Sequence, residues 1–455
     1  AGLAATAALL IAAALYAGYA GPDAFDWPGS QPLRLATQGG RFGTIREREL
    51  PRLRRAAAVV DPELMSQAAG EYNQSFANPC WNDPKLGLRC LPAFFVSGSF
   101  GGGASLSRLI SEHPSVVHDA GGFGVWGHKW GYWSEYRNDM ASYVTSLTAA
   151  SEAKLREQPG SALVMDAAHT TKYLYWASSG KAHRAFSDAA VACWRRCHEH
   201  DLTGGEAYET CMEEVCLPAG RAADEAMGAA AGLRYDDVQL PMLMRAMYGA
   251  RMPKFVFVLR EPCDRLWSAY KGTPALNQRF GNTTTGFVHY ARDQIMAWRS
   301  CVTQHGEHDC LFRFETLSME QEKVFYHCDQ LLRGMYASWL KVWFRFFPRE
   351  QFLIVNADEY FEKPHLVVKK VVDFLGLSPP DNATLERMYS ASEPLSWTGE
   401  WNFIPEGARR LLSKHVYNDA NFELANLMAG HRKEDKWEYK EWSRWNRETW
   451  QRKRR

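Results

Sequence analysis

Short apolar runs, each followed by a loop and a helical stripe, recur along the chain and predict its fold. Strand-forming runs lie near residues 94, 163, 254 and 352, and residues 255–259 read FVFVL. Continuous apolar runs of this length are typical of strands that are buried on both faces of a parallel sheet. The pattern predicts an α/β fold, with a P-loop-like, mostly parallel sheet flanked by helices on both faces.

The N-terminal stretch differs from the rest of the chain. Residues 1–20, AGLAATAALLIAAALYAGYA, are almost wholly apolar and carry no charged side chain. This length suits a helix that crosses a bilayer, so we interpret residues 1–20 as a signal anchor that attaches the protein to a membrane. A cleaved signal peptide and a buried helix are the alternatives. Residues 21–67 are rich in Pro, Gly and Arg, without a sustained period, and are interpreted as a stem or linker.

Composition and charge bound the remaining domains and partners. The net charge of +1 creates no global field that favours nucleic acid, so any anion site has to be local. Residues 431–455 carry charges of both signs with four interleaved Trp, which indicates a surface tail rather than a nucleic-acid site. The main domain is expected over residues 68–430.

Ten cysteines fit either disulfides in an oxidising compartment or metal sites. Four of them lie in CWRRCHEHDLTGGEAYETCMEEVC, where two helical stretches flank a Thr-Gly-Gly turn. Antiparallel pairing of the stretches predicts the disulfides Cys193–Cys216 and Cys197–Cys211, and so a stapled helical hairpin inserted over residues 183–220. A zinc site is the alternative, but zinc favours tighter cysteine spacing on turns, so we expect no metal.

The other cysteines give a weaker pattern. Cys301 and Cys310 bracket a short polar segment and are expected to form a local disulfide. Cys263 and Cys328 have no obvious partner in the sequence.

The segment KFVFVLREPCDRLWSAY, residues 254–270, joins a predicted strand to a predicted helix. Arg260 lies where the strand ends, Pro262 suits the first helical turn, and Ser268 lies two turns into the helix. Ligands of open α/β sheets gather at the carboxyl ends of strands, where helix N-termini offer N–H groups to anions. A guanidinium and a hydroxyl in this place suit one phosphate. The alternative is a structural salt bridge for Arg260 and a helix-surface position for Ser268.

Five positions of this segment carry a resemblance to a known family. Arg260, Pro262, Arg265, Ser268 and Tyr270 form the pattern R-x-P-x-x-R-x-x-S-x-Y. It resembles the 3′-phosphate-binding segment of the sulfotransferases that use 3′-phosphoadenosine-5′-phosphosulfate (PAPS). The resemblance implies that PAPS is the cofactor and that Arg260 and Ser268 hold its 3′-phosphate.

A second strand–loop–helix unit supplies another candidate phosphate site. Cys80 and Cys90 flank a Pro/Gly turn, and a strand at 94–96, the loop SGSFGGGAS and a helix follow. A Gly-rich loop between strand and helix is able to cradle a phosphate with backbone N–H groups. The unit resembles that of Golgi carbohydrate sulfotransferases of the N-acetylgalactosamine 4-sulfate 6-O-sulfotransferase type, whose loop binds the 5′-phosphosulfate. The resemblance implies contacts from Gly98, Ser99, Gly101, Gly102, Gly103, Ala104 and Ser105.

This loop departs from the family pattern G-x-P-K-[SC]-G-T-T. Residues 98–105 read GSFGGGAS, so the family's Lys is missing. A preorganised charge on the leaving phosphate is worth roughly 3–4 kcal/mol, and its loss motivates an alternative function: an inactive sulfotransferase fold that binds nucleotide or glycan. Lys129, in the altered segment GGFGVWGHKWGYW, is a hypothetical substitute, with a surface position as its plainer interpretation. A P-loop kinase is disfavoured because no G-K-[ST] is present.

Residues 162–176, ALVMDAAHTTKYLYW, are predicted to form a buried strand, a turn and a helix. They resemble the family's G-[ED]-A-S element, with Asp166 in the acidic position and His169 where Ser is common. Sulfuryl transfer needs a base near the acceptor hydroxyl, and carboxylate and imidazole both suit this role. Asp166 and His169 are therefore the candidate catalytic residues, and capping of the following helix is the alternative role of Asp166.

The leading hypothesis is a sulfotransferase that moves a sulfuryl group from PAPS to a hydroxyl of a glycan or glycosaminoglycan-like acceptor. The resemblance implies a single-pass type II protein of the Golgi membrane with a lumenal catalytic domain. Sequons at Asn73, Asn282 and Asn382 are then available to glycans. Arg409 and Arg410 are the nearest basic residues in the region of the family's nucleotide-covering loop, and are interpreted as a solvated helix face.

Overall fold

The computed structural model describes residues 45, 47–98, 100–118, 140–167, 184–199, 206–233, 237–312, 330–391, 404–429, 442 and 445. Its centre is a five-stranded sheet with the order β4–β5–β3–β6–β7, in which all neighbouring strands are parallel. The predicted parallel α/β sheet is thereby confirmed. The strands are β1 Cys80–Asp83 and β2 Gly87–Cys90, which form a separate antiparallel pair, and β3 Phe94–Ser97, β4 Val116–Val117, β5 Leu163–Asp166, β6 Lys254–Leu259 and β7 Phe352–Asn356.

Helices surround the sheet, and short 3₁₀ turns lie at Glu47–Glu49, Leu332–Gly334 and Arg349–Gln351. Two segments, Met212–Cys216 and Ser413–Tyr417, are π-helical. The α-helices are α1 Leu50–Val60, α2 Pro62–Ser66, α3 Gly103–Ser111, α4 Met140–Glu157, α5 Arg184–Glu199, α6 Glu206–Cys211, α7 Leu217–Ala230, α8 Leu240–Tyr248, α9 Pro262–Gly272, α10 Pro274–Phe280, α11 Thr284–His305, α12 Glu307–Phe312, α13 Tyr336–Phe346, α14 Ala357–Glu362, α15 Pro364–Leu375, α16 Asn382–Ala391, α17 Glu406–Leu412 and α18 Asn418–Ala429.

The strands bury both faces, and their side chains alternate between two apolar cores. Phe255 and Phe257 of β6 point into one core, which α1, α4, α8, α11 and α13 complete. Val256 and Val258 point into the other core, against α3, α14 and α15. This alternation is the two-residue period of a strand, and its apolar character on both sides explains why the run FVFVL is unbroken.

The order of the strands creates a crevice at the carboxyl ends of β3 and β6. From β3 the chain continues to β4 on one side, whereas from β6 it continues to β7 on the other side. In open α/β sheets such a reversal between neighbouring strands leaves a gap outside their carboxyl ends, where ligands bind. Residues 98–103 follow β3 and Arg260 follows β6, so both predicted phosphate-binding segments border this gap.

Disulfides staple the helical insertion as predicted. Cys193 is bonded to Cys216 and Cys197 to Cys211, and the two bonds join α5 to α6 and the π-helical segment. The five-residue spacing of Cys211 and Cys216 fits because a π-helical turn repeats over more residues than an α-helical one.

The remaining disulfides lie in the main domain. The predicted bond Cys301–Cys310 is present, and Cys80–Cys90 joins β1 to β2. Cys263 is buried with a free thiol, and Cys328 lies outside the described residues.

Both ends of the predicted main domain need correction. The last part of the predicted stem forms α1 and α2, whose Leu53, Val60 and Leu64 are buried in the core, so this part is not a linker. Trp442 and Trp445 of the predicted surface tail are 2% and 8% exposed and join the same core. Within the described ranges, the structure contains no helix that is long and apolar enough to span a bilayer, and residues 1–20 lie outside those ranges.

Candidate phosphate site at the carboxyl ends of the strands

Arg260 and Ser268 are in direct contact. Nη1 of Arg260 donates to Oγ of Ser268 at 2.7 Å and to the carbonyl oxygen of Phe100 at 3.2 Å. Helix α9 begins at Pro262, so Ser268 lies about two turns from the strand end and faces back toward the guanidinium. The structure thus brings together the two residues that the sequence predicts for one phosphate.

The guanidinium of Arg260 lies in a poorly solvated place. The residue is 7% exposed, and its Cζ lies 5.9 Å from the centre of the Phe361 ring. Burial lowers the pKa of Arg260, while the nearby carboxylates of Asp264 and Asp358 act in the opposite direction. Because an arginine pKa starts far above 7, the side chain stays charged at neutral pH and attracts anions.

A buried tyrosine fixes the backbone of Arg260. The hydroxyl of Tyr336, at the start of α13, donates to the carbonyl oxygen of Arg260 at 2.9 Å. Both groups are buried, so this bond holds the strand end against the core. The sequence shows no motif around Tyr336, and only its place at the start of an apolar helical run marks it.

The glycines of the 98–103 loop are required by close packing. The N–H groups of Gly101 and Gly103 both donate to the carbonyl oxygen of Gly98 at 3.1 Å. A Cβ on Gly103 would lie 2.8 Å from Cα of Gly98, and one on Gly98 would lie 2.8 Å from the carbonyl oxygen of Val258. Gly102 has a left-handed φ of 101°, which other residues rarely adopt. The loop therefore lies flat on β6, beside Arg260.

This packing limits what the loop offers to an anion. Two of its N–H groups are used on Gly98 and are therefore not available to a ligand. The first hydrogen bond of the helix runs from the N–H of Leu106 to the carbonyl oxygen of Gly102. The N–H groups of Ala104 and Ser105 therefore precede the first hydrogen bond of the helical ladder. Oγ of Ser105 is 3.0 Å from the Tyr360 hydroxyl. The predicted cradle thus includes a helix N-terminus, and Ser99 lies outside the described residues.

A further cation lies beside this loop. Lys271, on the last turn of α9, lies over the Trp267 ring at 5.1 Å. Burial lowers the pKa of Lys271, and the positive charge of Arg260 lowers it further. The next residue, Gly272, approaches the Phe100 ring of the loop so closely that a Cβ would lie 2.8 Å from it. Lys271 was not among the predicted site residues, although it follows Ser268 by three positions on the same helix. The other candidate cation, Lys129, lies outside the described residues.

The candidate catalytic residues are only partly described. Asp166 ends β5, opposite Phe95 of β3, and its carboxylate is fully buried. Its Oδ2 accepts a hydrogen bond from the hydroxyl of Tyr143 on α4 at 2.6 Å. This bond orients the carboxylate at the carboxyl end of β5, which is the same end of the sheet at which the loop lies. His169 and the helix that Asp166 would cap lie outside the described residues.

Arg409 lies closer to the site than its interpretation as a solvated residue suggested. Its guanidinium contacts Glu261 at 2.8 Å and also Asp264, so α17 is tied to the first turn of α9. Burial and the Asp264 charge raise the pKa of Glu261, and the charge of Arg409 opposes them. Arg410 agrees with its interpretation as a residue of a solvated helix face, since its side chain is exposed and its Nε lies 3.9 Å from Oε1 of Glu406.

Comparison with known proteins gives a consistent result for one part of the chain. Residues 241–392 match the family described as "Sulfotransferase domain", and the match includes β6, Arg260 and Ser268. The mouse protein "Carbohydrate sulfotransferase 15" is 26% identical over 145 residues, and its human counterpart is 24% identical over the same length. The resemblance to carbohydrate sulfotransferases thus holds in comparisons of sequence.

The extent of these matches is limited. The aligned segment covers 31% of this chain and 24% of the length of the mouse relative. A sulfotransferase from Alicyclobacillus acidocaldarius of known crystal structure aligns over 79% of this chain and 99% of its own, with 18% identity and a TM-score of 0.34.

Proposed function

We propose that this protein is a sulfotransferase that takes a sulfuryl group from PAPS and transfers it to a hydroxyl of a carbohydrate acceptor. The observation that carries the proposal is the contact of the buried Arg260 with Ser268 at the crevice between β3 and β6, within the segment that matches the sulfotransferase domain family. A guanidinium–hydroxyl pair suits a phosphate monoester, because both groups are able to donate to phosphate oxygens.

The residues of the chain take separate roles in this proposal. Arg260 and Ser268 would hold the 3′-phosphate, and the first turn of α3, at Ala104 and Ser105, would offer N–H groups to the 5′-phosphosulfate. Glycines 98 and 101–103 let the loop lie close enough to β6 for both contacts. PAPS supplies the activated sulfuryl group when it is bound.

Transfer also requires removal of a proton. The acceptor oxygen forms a bond to sulfur while the bond from sulfur to the phosphate oxygen breaks, and a base takes the hydroxyl proton. We propose Asp166 or His169 for this role. The hydrogen bond from Tyr143 supports the assignment to Asp166, since it orients the carboxylate at the carboxyl end of β5.

The acceptor and the cellular site belong to the same proposal. A carbohydrate acceptor is favoured by the relatives that the chain matches, which are named "Carbohydrate sulfotransferase 15". We further propose a type II protein of the Golgi membrane, anchored by the apolar residues 1–20. The disulfides support an oxidising lumen, and the sequon residues Asn73, Asn282 and Asn382 are all exposed to solvent.

A specific observation favours one alternative, a fold that binds nucleotide or glycan without transfer. The loop has no Lys, and two of its N–H groups are used on the carbonyl oxygen of Gly98. Less positive potential then remains for the charge that develops on the leaving phosphate, which slows transfer more than it weakens binding.

Calorimetric binding of 3′-phosphoadenosine-5′-phosphate (PAP), the product nucleotide, tests both functions. We expect the full chain to bind PAP and Arg260→Ala to bind at least about tenfold more weakly, since a charge-assisted hydrogen bond is lost. Arg410→Ala, which removes an exposed arginine, serves as the matched control and should bind like the parent.

Sulfate transfer from PAPS to glycan acceptors is then measured with the same samples. PAP binding with transfer supports the enzyme, whereas PAP binding without transfer to any acceptor supports the inactive fold. If the parent protein does not bind PAP, or if Arg260→Ala binds it equally well, the proposed function is wrong.

A further inference from the structure

A cavity of about 420 Å³ opens at the amino ends of the strands, at the end of the sheet opposite to the phosphate site. Its wall includes Ala93, Leu163 and Lys254, which lie at or just before the starts of β3, β5 and β6. Because β6 rises about 3.3 Å per residue, the six residues Lys254–Leu259 separate the cavity from Arg260 by roughly 20 Å. The cavity is therefore distinct from the crevice that serves the proposed transfer.

The charges of the lining have one sign. Lys254 and Arg251 line the cavity, and among the described residues of its wall there is no carboxylate. Nζ of Lys254 donates to the carbonyl oxygen of Phe374 at 2.5 Å, which uses one of its three N–H groups. The Arg251 guanidinium donates to Gln74 at 2.8 Å, to the carbonyl oxygen of Phe76 and to that of Asn78 at 3.3 Å. Two cationic residues, both held in place by hydrogen bonds, therefore line one cavity.

The cations lie in a partly desolvated place, which strengthens their attraction for an anion. Lys254 is half-buried, and burial lowers its pKa. The ammonium remains charged near neutral pH, since the ordinary value for lysine is far above 7. An anion that enters the cavity stabilises the charged ammonium, and so offsets the loss of hydration that the ammonium suffers on folding.

The rest of the wall restricts the kind of ligand. Ser161 and Gln351 contribute a hydroxyl and an amide, while Pro79, Met252 and Leu375 contribute apolar surface. No aromatic side chain is present among the described lining residues, so the wall provides no platform for stacking a nucleobase. The volume lies within the range of small-ligand sites, about 300–1,000 Å³. A compact, hydroxyl-rich ligand with one acidic group fits all of these features.

We propose that this cavity binds one acidic sugar unit, with its carboxylate or sulfate at Lys254 and Arg251 and its hydroxyls at Ser161 and Gln351. The assignment goes beyond the proposed transfer reaction and does not depend on it. A chain of acidic sugars that occupies this cavity would be held on the molecule at a place far from the nucleotide site.

Calorimetry on the full chain tests the assignment with four probes: glucuronate, galactose 6-sulfate, neutral galactose and inorganic sulfate. We expect at least one acidic sugar to bind at least about tenfold more tightly than galactose or inorganic sulfate, because the acidic group and the hydroxyls contribute together. The proposal fails if neither acidic sugar binds, if galactose binds equally well, or if inorganic sulfate accounts for the whole affinity.

Variants locate the binding. Lys254→Met removes the charge and keeps an unbranched side chain, and should weaken acidic-sugar binding at least about tenfold. Gly160→Leu places a larger side chain in the lining of the cavity, at a glycine where an added Cβ meets no atom of the protein within 4 Å. It should also abolish binding, whereas the matched Gly160→Ala should retain it. Undiminished binding by folded Gly160→Leu would overturn the assignment, even if Lys254→Met does not fold.

Arg260→Ala separates this inference from the proposed function. The variant is expected to lose PAP and to keep the acidic sugar. If the parent protein binds no PAP but binds the acidic sugar in a Gly160-dependent way, the transfer proposal falls and the cavity assignment stands. Loss of the acidic sugar in Arg260→Ala would place its binding at the crevice and refute the cavity assignment.

Discussion

At the scale of single residues, the phosphate site depends on backbone atoms that approach each other closely. Gly98 and Gly103 face each other across the loop, and Gly98 also contacts β6 at Val258. A side chain at either position would lift the loop off the strand, and with it the carbonyl oxygen of Phe100 that contacts Arg260. These glycines are needed for packing first, and the packing in turn positions the first turn of α3.

Gly103→Ala tests this dependence. A Cβ there would lie 2.8 Å from both Cα and N of Gly98, which are backbone atoms that are not free to swing aside. We expect overpacking to lower the free energy of unfolding by about 1–3 kcal/mol, and PAP binding to weaken as the loop shifts. Urea denaturation and calorimetry measure the two effects.

Gly407→Ala is the control for this substitution. It lies in α17, where an added Cβ meets no atom within 4 Å, so stability should be unchanged or higher by up to about 1 kcal/mol. If Gly103→Ala retained the parent's stability and affinity for PAP, the loop would not be as tightly packed as the structure shows.

At the scale of elements, the first turn of α9 lies between Arg260 and Ser268 in the chain and is held by α17. Glu261 caps α9 by accepting the N–H of Asp264 at 2.9 Å, and Arg409 bridges the two carboxylates. Glu261 is 7% exposed, and a buried carboxylate beside a second one is costly unless a cation is near. The neighbours on α17, Arg409 and Arg410, therefore differ in role although they are identical in chemistry.

Arg409→Ala should destabilise the protein much more than Arg410→Ala. Removal of the Arg409 guanidinium leaves Glu261 and Asp264 without their cation, and breaking a buried pair in this way costs about 3–5 kcal/mol. Arg409 is itself 27% exposed at the side chain, so solvent screening should bring the loss to the lower end of that range.

Arg410→Ala removes an exposed side chain and should change the free energy of unfolding by about 0.5 kcal/mol or less. Chemical denaturation of both variants gives the comparison. Equal stability of the two variants would mean that the contact from α17 to α9 contributes little.

The sequence predicted the elements better than it predicted their contacts. The strand at 255–259 and the Arg260–Ser268 pair follow from a local pattern, because eight residues along one strand–helix unit fix their relative positions. The role of Arg409 depends on a contact 148 residues away in sequence, and no period or motif reveals it. The contact of Tyr336 with Arg260, across 76 residues, was missed for the same reason. Local spacing thus predicts a strand-end site, whereas its supporting contacts require the tertiary structure.

At the scale of the whole molecule, both ends of the described chain pack on one core. Helix α1 packs on the fully buried α8, and Nε of Arg54 donates to the carbonyl oxygen of Ala246 at 3.1 Å. From the other end, the Trp445 ring lies 6.2 Å from that of Tyr336. The same tyrosine fixes the backbone of Arg260, so the C-terminal region supports the phosphate site through the core.

The N-terminal helices therefore belong to the folded domain, and the position of its boundary is testable. A chain that begins at Ile45 keeps α1 and α2, whereas one that begins at Ala68 loses both. Leu53, Val60 and Leu64 are each no more than 5% exposed, and burial of such side chains contributes about 1.5–3 kcal/mol each. Their removal also uncovers the apolar face of α8. The combined loss, roughly 5 kcal/mol or more, is comparable with the whole stability of a typical domain.

We expect the chain from Ala68 to melt at a much lower temperature than the chain from Ile45, or to aggregate, in a thermal scan that follows tryptophan fluorescence. Equal melting temperatures would show that residues 47–67 are the linker that their composition suggests.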